Sequence, residues 1–107
     1  MLQEPANRSA VSDGDEVSRR LTAERTALAH FHVCSLELFG STASGTPNAE
    51  SDVDLLVTFD RPVDLFHFLE LEEFLSGVLG RKVDLVPRES VKPALQGRIY
   101  AEARRVA

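Results

Sequence analysis

A chain of 107 residues has room for one domain around one modest core, and not for two ordinary domains. Its 43% hydrophobic and 27% charged residues, with no run near the roughly 18 apolar residues of a membrane span, exclude a membrane protein and indicate an ordinary soluble one. The formal charge of -5 counts against direct nucleic-acid binding, which needs a basic face to neutralise phosphates, and a single cysteine, Cys34, excludes an internal disulfide.

The opening stretch MLQEPANRSAVSDGDE lacks the apolar segment of a secretory signal, so a cytoplasmic location is expected. Residues 1–13 mix Pro5, Asn7, Ser9 and Ser12 with little hydrophobic pattern and are expected to form a flexible tail, leaving 14–107 as the single domain. From Asp15 onward Val17, Leu21, Leu28 and Phe31 share a helical face, which predicts one amphipathic helix ending near Phe31. Cys34–Phe39 alternates as a half-buried strand, with Cys34, Leu36 and Leu38 on the apolar side, and ends at Gly40. The run GSTASGTPNAES permits at most one short turn before a second strand, Val53–Phe59, closed by Asp60-Arg61-Pro62 and expected beside the first.

Asp64 to Leu79 is too long and too evenly apolar for a strand, so it is the main helix, with Asp64 as cap and Gly80 as stop. Its apolar stripe is wider than one sheet face requires, which fits either cover by its own domain or a partner chain. Lys82–Val86 is a third strand, ended by Pro87, and Ser90–Ala103 reads as one or two short helices around Pro93 and Gly97. His30, His32 and His67 have no metal-ligand spacing and are assigned structural roles, Tyr100 a packing role ahead of a modification site, and Arg104 and Arg105 a solvated helix end or, alternatively, a contact for an acidic partner.

The chemistry concentrates around the second strand. Asp52 and Asp54 stand two apart, so they project from one face, and two carboxylates that close repel unless a hard cation neutralises them. Magnesium suits such a site, because it takes one or two carboxylates and completes its shell with water and phosphate oxygens. Asp84 lies inside the apolar strand KVDLV, where an ionised acid is costly unless it faces a polar site. Gly40-Ser41, at a strand exit, lets backbone N–H groups and a hydroxyl approach an anion. Each piece alone is an ordinary turn or cap; their order along the chain is what carries the reading.

Gly40-Ser41, ten intervening residues, Asp52-x-Asp54, then Leu55-Leu56-Val57 resembles the signature of polymerase-beta-like nucleotidyltransferases. The segments LELFGSTASG, SDVDLLV, KVDLV and VKPALQGRIYAEA are most similar to the minimal nucleotidyltransferase (MNT) domain antitoxins of prokaryotes. The resemblance implies an α/β (α+β) nucleotidyltransferase fold, a small mixed sheet flanked by helices. It implies Asp52, Asp54 and Asp84 as catalytic and metal-binding residues, with Asp84 completing the site or taking the proton of the attacking hydroxyl. It implies Gly40, Ser41, Thr42 and Ser51 as nucleotide contacts, Mg2+ as cofactor and ATP as substrate. The implied reaction is transfer of AMP to a tyrosine of a cognate HEPN-domain ribonuclease toxin, which neutralises it. A non-catalytic antitoxin acting by binding, or transfer to a small molecule or RNA, are the alternatives. The family often carries a basic residue in the turn after Gly-Ser, where this chain has Ser44. Either triphosphate affinity is weaker, or Arg61, Lys82 or a partner's residue takes that role.

Overall fold

In the computed structural model, residues 14–40 and 52–107 are described. The expectations for the 1–13 tail, for the turn after Gly40 and for Ser41, Thr42, Ser44 and Ser51 lie outside the described residues. The elements run α1 (Gly14–Ala23), α2 (Arg25–His30), β1 (Val33–Phe39), β2 (Val53–Phe59), α3 (Leu65–Leu79), β3 (Val83–Pro87), a 3-10 turn (Arg88–Ser90), α4 (Pro93–Glu102) and β4 (Arg104–Arg105). The sheet order is β3-β2-β1-β4. β2 and β3 are parallel, β1 is antiparallel to both β2 and β4, and the sheet is therefore mixed. A parallel neighbour requires a crossover, and α3 supplies it.

Leu36 and Leu38 of β1, Val53, Leu55 and Val57 of β2, and Val83 and Leu85 of β3 form one apolar sheet face. Against it pack Val17 and Leu21 of α1, Leu28 of α2, and Leu71, Leu75, Val78 and Leu79 of α3. The single helix expected to end near Phe31 is instead two. The Glu24 N–H bonds Leu21 O, three residues back, at 3.0 Å, and this tightened turn separates α1 from α2 while keeping Leu28 in the same core. Cys34, expected among the buried apolar residues, is exposed. The β1–β2 register slips between Val33 and Ser35, which removes Cys34 from the alternation shared by Leu36 and Leu38.

Asp64 caps α3 by accepting from the His67 N–H at 2.8 Å, and Gly80, with φ 68°, ends it in the left-handed region. The His67 ring donates from Nε2 to the Phe31 carbonyl at 2.6 Å and stacks on His32, so these imidazoles fasten α3 to the start of β1. β3 is an edge strand, and α3 covers its outward row of N–H groups. Val83 N–H donates to Ser76 Oγ and Leu85 N–H to Glu72 Oε2, both at 3.0 Å, while Pro87, next in that row, has no N–H. Glu72→Ala should leave the Leu85 N–H unpaired and lower stability by about 1–2 kcal/mol. Denaturant unfolding checks this, and an unchanged midpoint would show that the edge needs no such acceptor.

Arg104 and Arg105 do not end a helix: they form β4, pairing with Leu38 and Glu37. Two residues carry no local strand signal, and the pairing depends on Val106 returning to the core with its N–H on Leu36 O at 2.9 Å. No residue of α4 is fully buried. It is held through Tyr100, whose hydroxyl donates to Arg88 O at 2.8 Å and whose ring lies 3.8 Å beneath the Arg88 guanidinium. Among the described residues no helix is long and apolar enough to cross a membrane.

Candidate active site

Asp54 stands between Val53 and Leu55, both buried in the core, so strand alternation turns its side chain to the opposite sheet face. In β3 the same alternation turns Asp84 outward between Val83 and Leu85. The parallel register pairs Asp54 with Asp84, which brings the two carboxylates side by side on that face. Asp52 lies two residues before Asp54, exposed at the mouth of β2. Its Oδ2 is 4.0 Å from Lys82 Nζ, and the adjacent Val53 N–H donates to Lys82 O at 2.9 Å.

The antiparallel register opposes Asp54 to Phe39, so Gly40 arrives beside the Asp54 carboxylate. Gly40 has φ 82°, a conformation that glycine adopts without steric cost. A Cβ at this position would collide with Asp54 Oδ2. Sequence reasoning assigned Gly40 to close approach of a phosphate; the structure adds a second demand, room for the Asp54 carboxylate.

Burial foremost, then the neighbouring charges of Asp84 and Asp52, pushes the Asp54 carboxyl above the ordinary carboxylate range. A divalent cation would offset that cost. Among the described residues the three acids do not close into a three-ligand cluster. Magnesium needs only one or two carboxylates, with phosphate oxygens and water completing its octahedron, and the oxygen donors of Asp54, Asp84 and Asp52 fit it on those terms.

Of the cations considered as substitutes at this site, Arg61 is 3.1 Å from Asp60, just past the far end of β2, whose last residue Phe59 is roughly 17 Å along the strand from Asp54. Lys82 is the one placed beside the acids. A cleft of about 830 Å3, lined by Phe59, Pro62, Leu65, Phe68, Arg88 and Tyr100 among others, also lies at that far end, away from the carboxylates.

The sequence pattern of the nucleotidyltransferase domain family matches residues 23–106. The protein adenylyltransferase MntA of Thermococcus cleftensis is 38% identical over 89 residues, covering 82% of this chain and 90% of that protein. A solved minimal nucleotidyltransferase superposes with a TM-score of 0.74 at 30% identity, over 89% of this chain and 97% of that one. An MNT antitoxin in complex with the tri-AMPylated HEPN toxin of Shewanella oneidensis shares the fold, with a TM-score of 0.62, 20% identity, and 88% and 71% of the two chains covered. With strand order, paired acids and glycine in place, the chain belongs to the nucleotidyltransferase domain family, in its minimal nucleotidyltransferase branch.

Proposed function

We propose that this chain is an antitoxin that transfers AMP from ATP to a tyrosine of a HEPN ribonuclease toxin, and so neutralises it. The observation that carries the reading is the Asp54–Asp84 register pair on an open sheet face, with Asp52 at its edge and Gly40 against it. The likeness to a protein adenylyltransferase over most of both chains favours a protein acceptor, and the fold shared with an MNT antitoxin bound to an AMPylated HEPN toxin favours that partner.

In this reading Asp52 and Asp54 would hold Mg2+, which would steady the charge on the phosphate oxygens, leaving Asp84 for the proton. The backbone after Gly40, with Ser41, Thr42 and Ser51, takes the triphosphate, and Lys82 is near enough to the acids to add a positive charge. The acceptor oxygen attacks the α-phosphorus and forms the new phosphodiester bond. The bond from that phosphorus to the bridging oxygen breaks, and pyrophosphate leaves. Asp84, exposed and beside Asp54, receives the proton from the tyrosine hydroxyl.

Incubation of the chain with labelled ATP, Mg2+ and a candidate HEPN protein from the same organism, followed by intact-mass analysis, tests this directly. The toxin should gain mass in adenylate steps, and chelation of the metal should stop the gain. Protection from the toxin that persists undiminished in an Asp52→Asn/Asp54→Asn variant would instead establish neutralisation by binding alone.

A further inference from the structure

Helix α3 buries Leu71, Leu75, Val78 and Leu79 against the sheet, and its opposite side is unusual for a solvated helix. Phe66 is 77% exposed, Leu65 65% and Leu69 47%. At about 100° per residue, Phe66, Leu69, Glu70, Glu73 and Gly77 fall within an arc of about 100° centred away from the core. The stripe is roughly 16 Å long. It grades from large apolar side chains at the N-terminal end, through two exposed acids, to a glycine.

Among the described residues nothing packs against Gly77. A Cβ there would meet nothing within 4 Å, and its φ is not positive, so an alanine would fit and would favour the helix. A bare backbone on the outward side of a helix does admit a second helix at close range. Phe66 and Leu69 offer the apolar contact that such an approach would bury.

Charge chooses the occupant. A second copy packed antiparallel would seat Phe66 over Gly77, but it would also set Glu70 of each chain against Glu73 of the other, four carboxylates at the centre of the contact. Residues 1–13 hold Arg8 against Glu4 and Asp13, and offer no basic complement. We propose that the outward side of α3 docks a partner protein through a helix that presents large apolar side chains flanked by Lys or Arg. This rests on the reading that the chain acts on another protein. α3 covers the core face of the sheet, whereas Asp54 and Asp84 lie on the other face. The partner therefore holds on with one element and delivers its acceptor residue with another.

The test uses the full chain and fluorescence anisotropy with two helical peptides, one of Leu and Lys and one of Leu and Glu. The Leu/Lys peptide should bind saturably and the Leu/Glu peptide should not. Phe66→Ser and Glu73→Lys should each weaken binding tenfold or more. Gly77→Leu should abolish it while raising Tm, which separates blocked docking from misfolding. None of these variants should change ATP binding. Equal Leu/Lys binding by the wild type and all three variants, absence of binding by the wild type, or a dimer of the chain dissolved by Phe66→Ser would each overturn the proposal. Failure of the wild type to adenylylate the HEPN protein, with the peptide pattern intact, would count against the active-site reading and still support the docking surface.

Discussion

Asp54→Asn should reduce nucleotidyl transfer by at least about 100-fold and, in the same chain, raise the stability of the ligand-free protein at neutral pH. Both effects come from one charge. Asp54 is pushed up by burial, then by Asp84 and Asp52, so its ionised form is disfavoured in the folded state relative to the unfolded one. For an acid whose folded pKa is raised, the stabilising contribution is fully present below the unfolded value, about 4, and is lost as pH rises through the folded value. Wild-type stability should therefore fall through mildly acidic pH, whereas asparagine, uncharged throughout, escapes that loss. The two melting temperatures should nearly coincide near pH 3.5 and separate as the pH rises to 7, with the variant higher. Magnesium and ATP should raise the wild-type Tm and leave the variant nearly unmoved. A variant that melts lower than wild type at pH 7 would show that Asp54 is a structural acid held by unrecognised donors.

The elements around this site were legible because their signals are local. The alternation of β1 from Leu36 on, the apolar run of β2 closed by Asp60-Arg61-Pro62, the length of α3 and its Asp64 and Gly80 ends all follow from short windows of sequence. The register that pairs Asp54 with Asp84 was legible in principle as well. Val53-Asp54-Leu55 and Val83-Asp84-Leu85 are the same tripeptide, and a one-residue slip would turn the apolar pair of one strand to the wrong face. What escaped was non-local. β4 exists only because Val106 returns to the core beside Leu36, the irregularity that exposes Cys34 depends on how β1 meets β2, and no period separates Arg61, at the far end of β2, from Lys82 beside Asp52. Charge type could be read from the sequence, but which cation meets which acid is set by strand direction.

Gly40→Ala should be the most damaging small change in the chain. The substitution places an L-residue at φ 82°, and its methyl group would strike the Asp54 carboxylate. The backbone strain alone costs about 1–2 kcal/mol. The collision must be relieved either by moving Asp54 out of line with Asp84 or by displacing the backbone that leads into Ser41, and both outcomes disturb the candidate site. Transfer should therefore drop by tenfold or more, beyond what lost stability explains. Gly97→Ala is the control, because a Cβ there meets nothing within 4 Å and the helix should gain about 0.5–1 kcal/mol with activity intact. A double-mutant cycle separates the two causes at Gly40. In an Asp54→Ala background the carboxylate is gone, so Gly40→Ala should cost only the backbone strain. A cost as large as in the wild type would mean that Gly40 is required by the turn alone and not by the acid beside it.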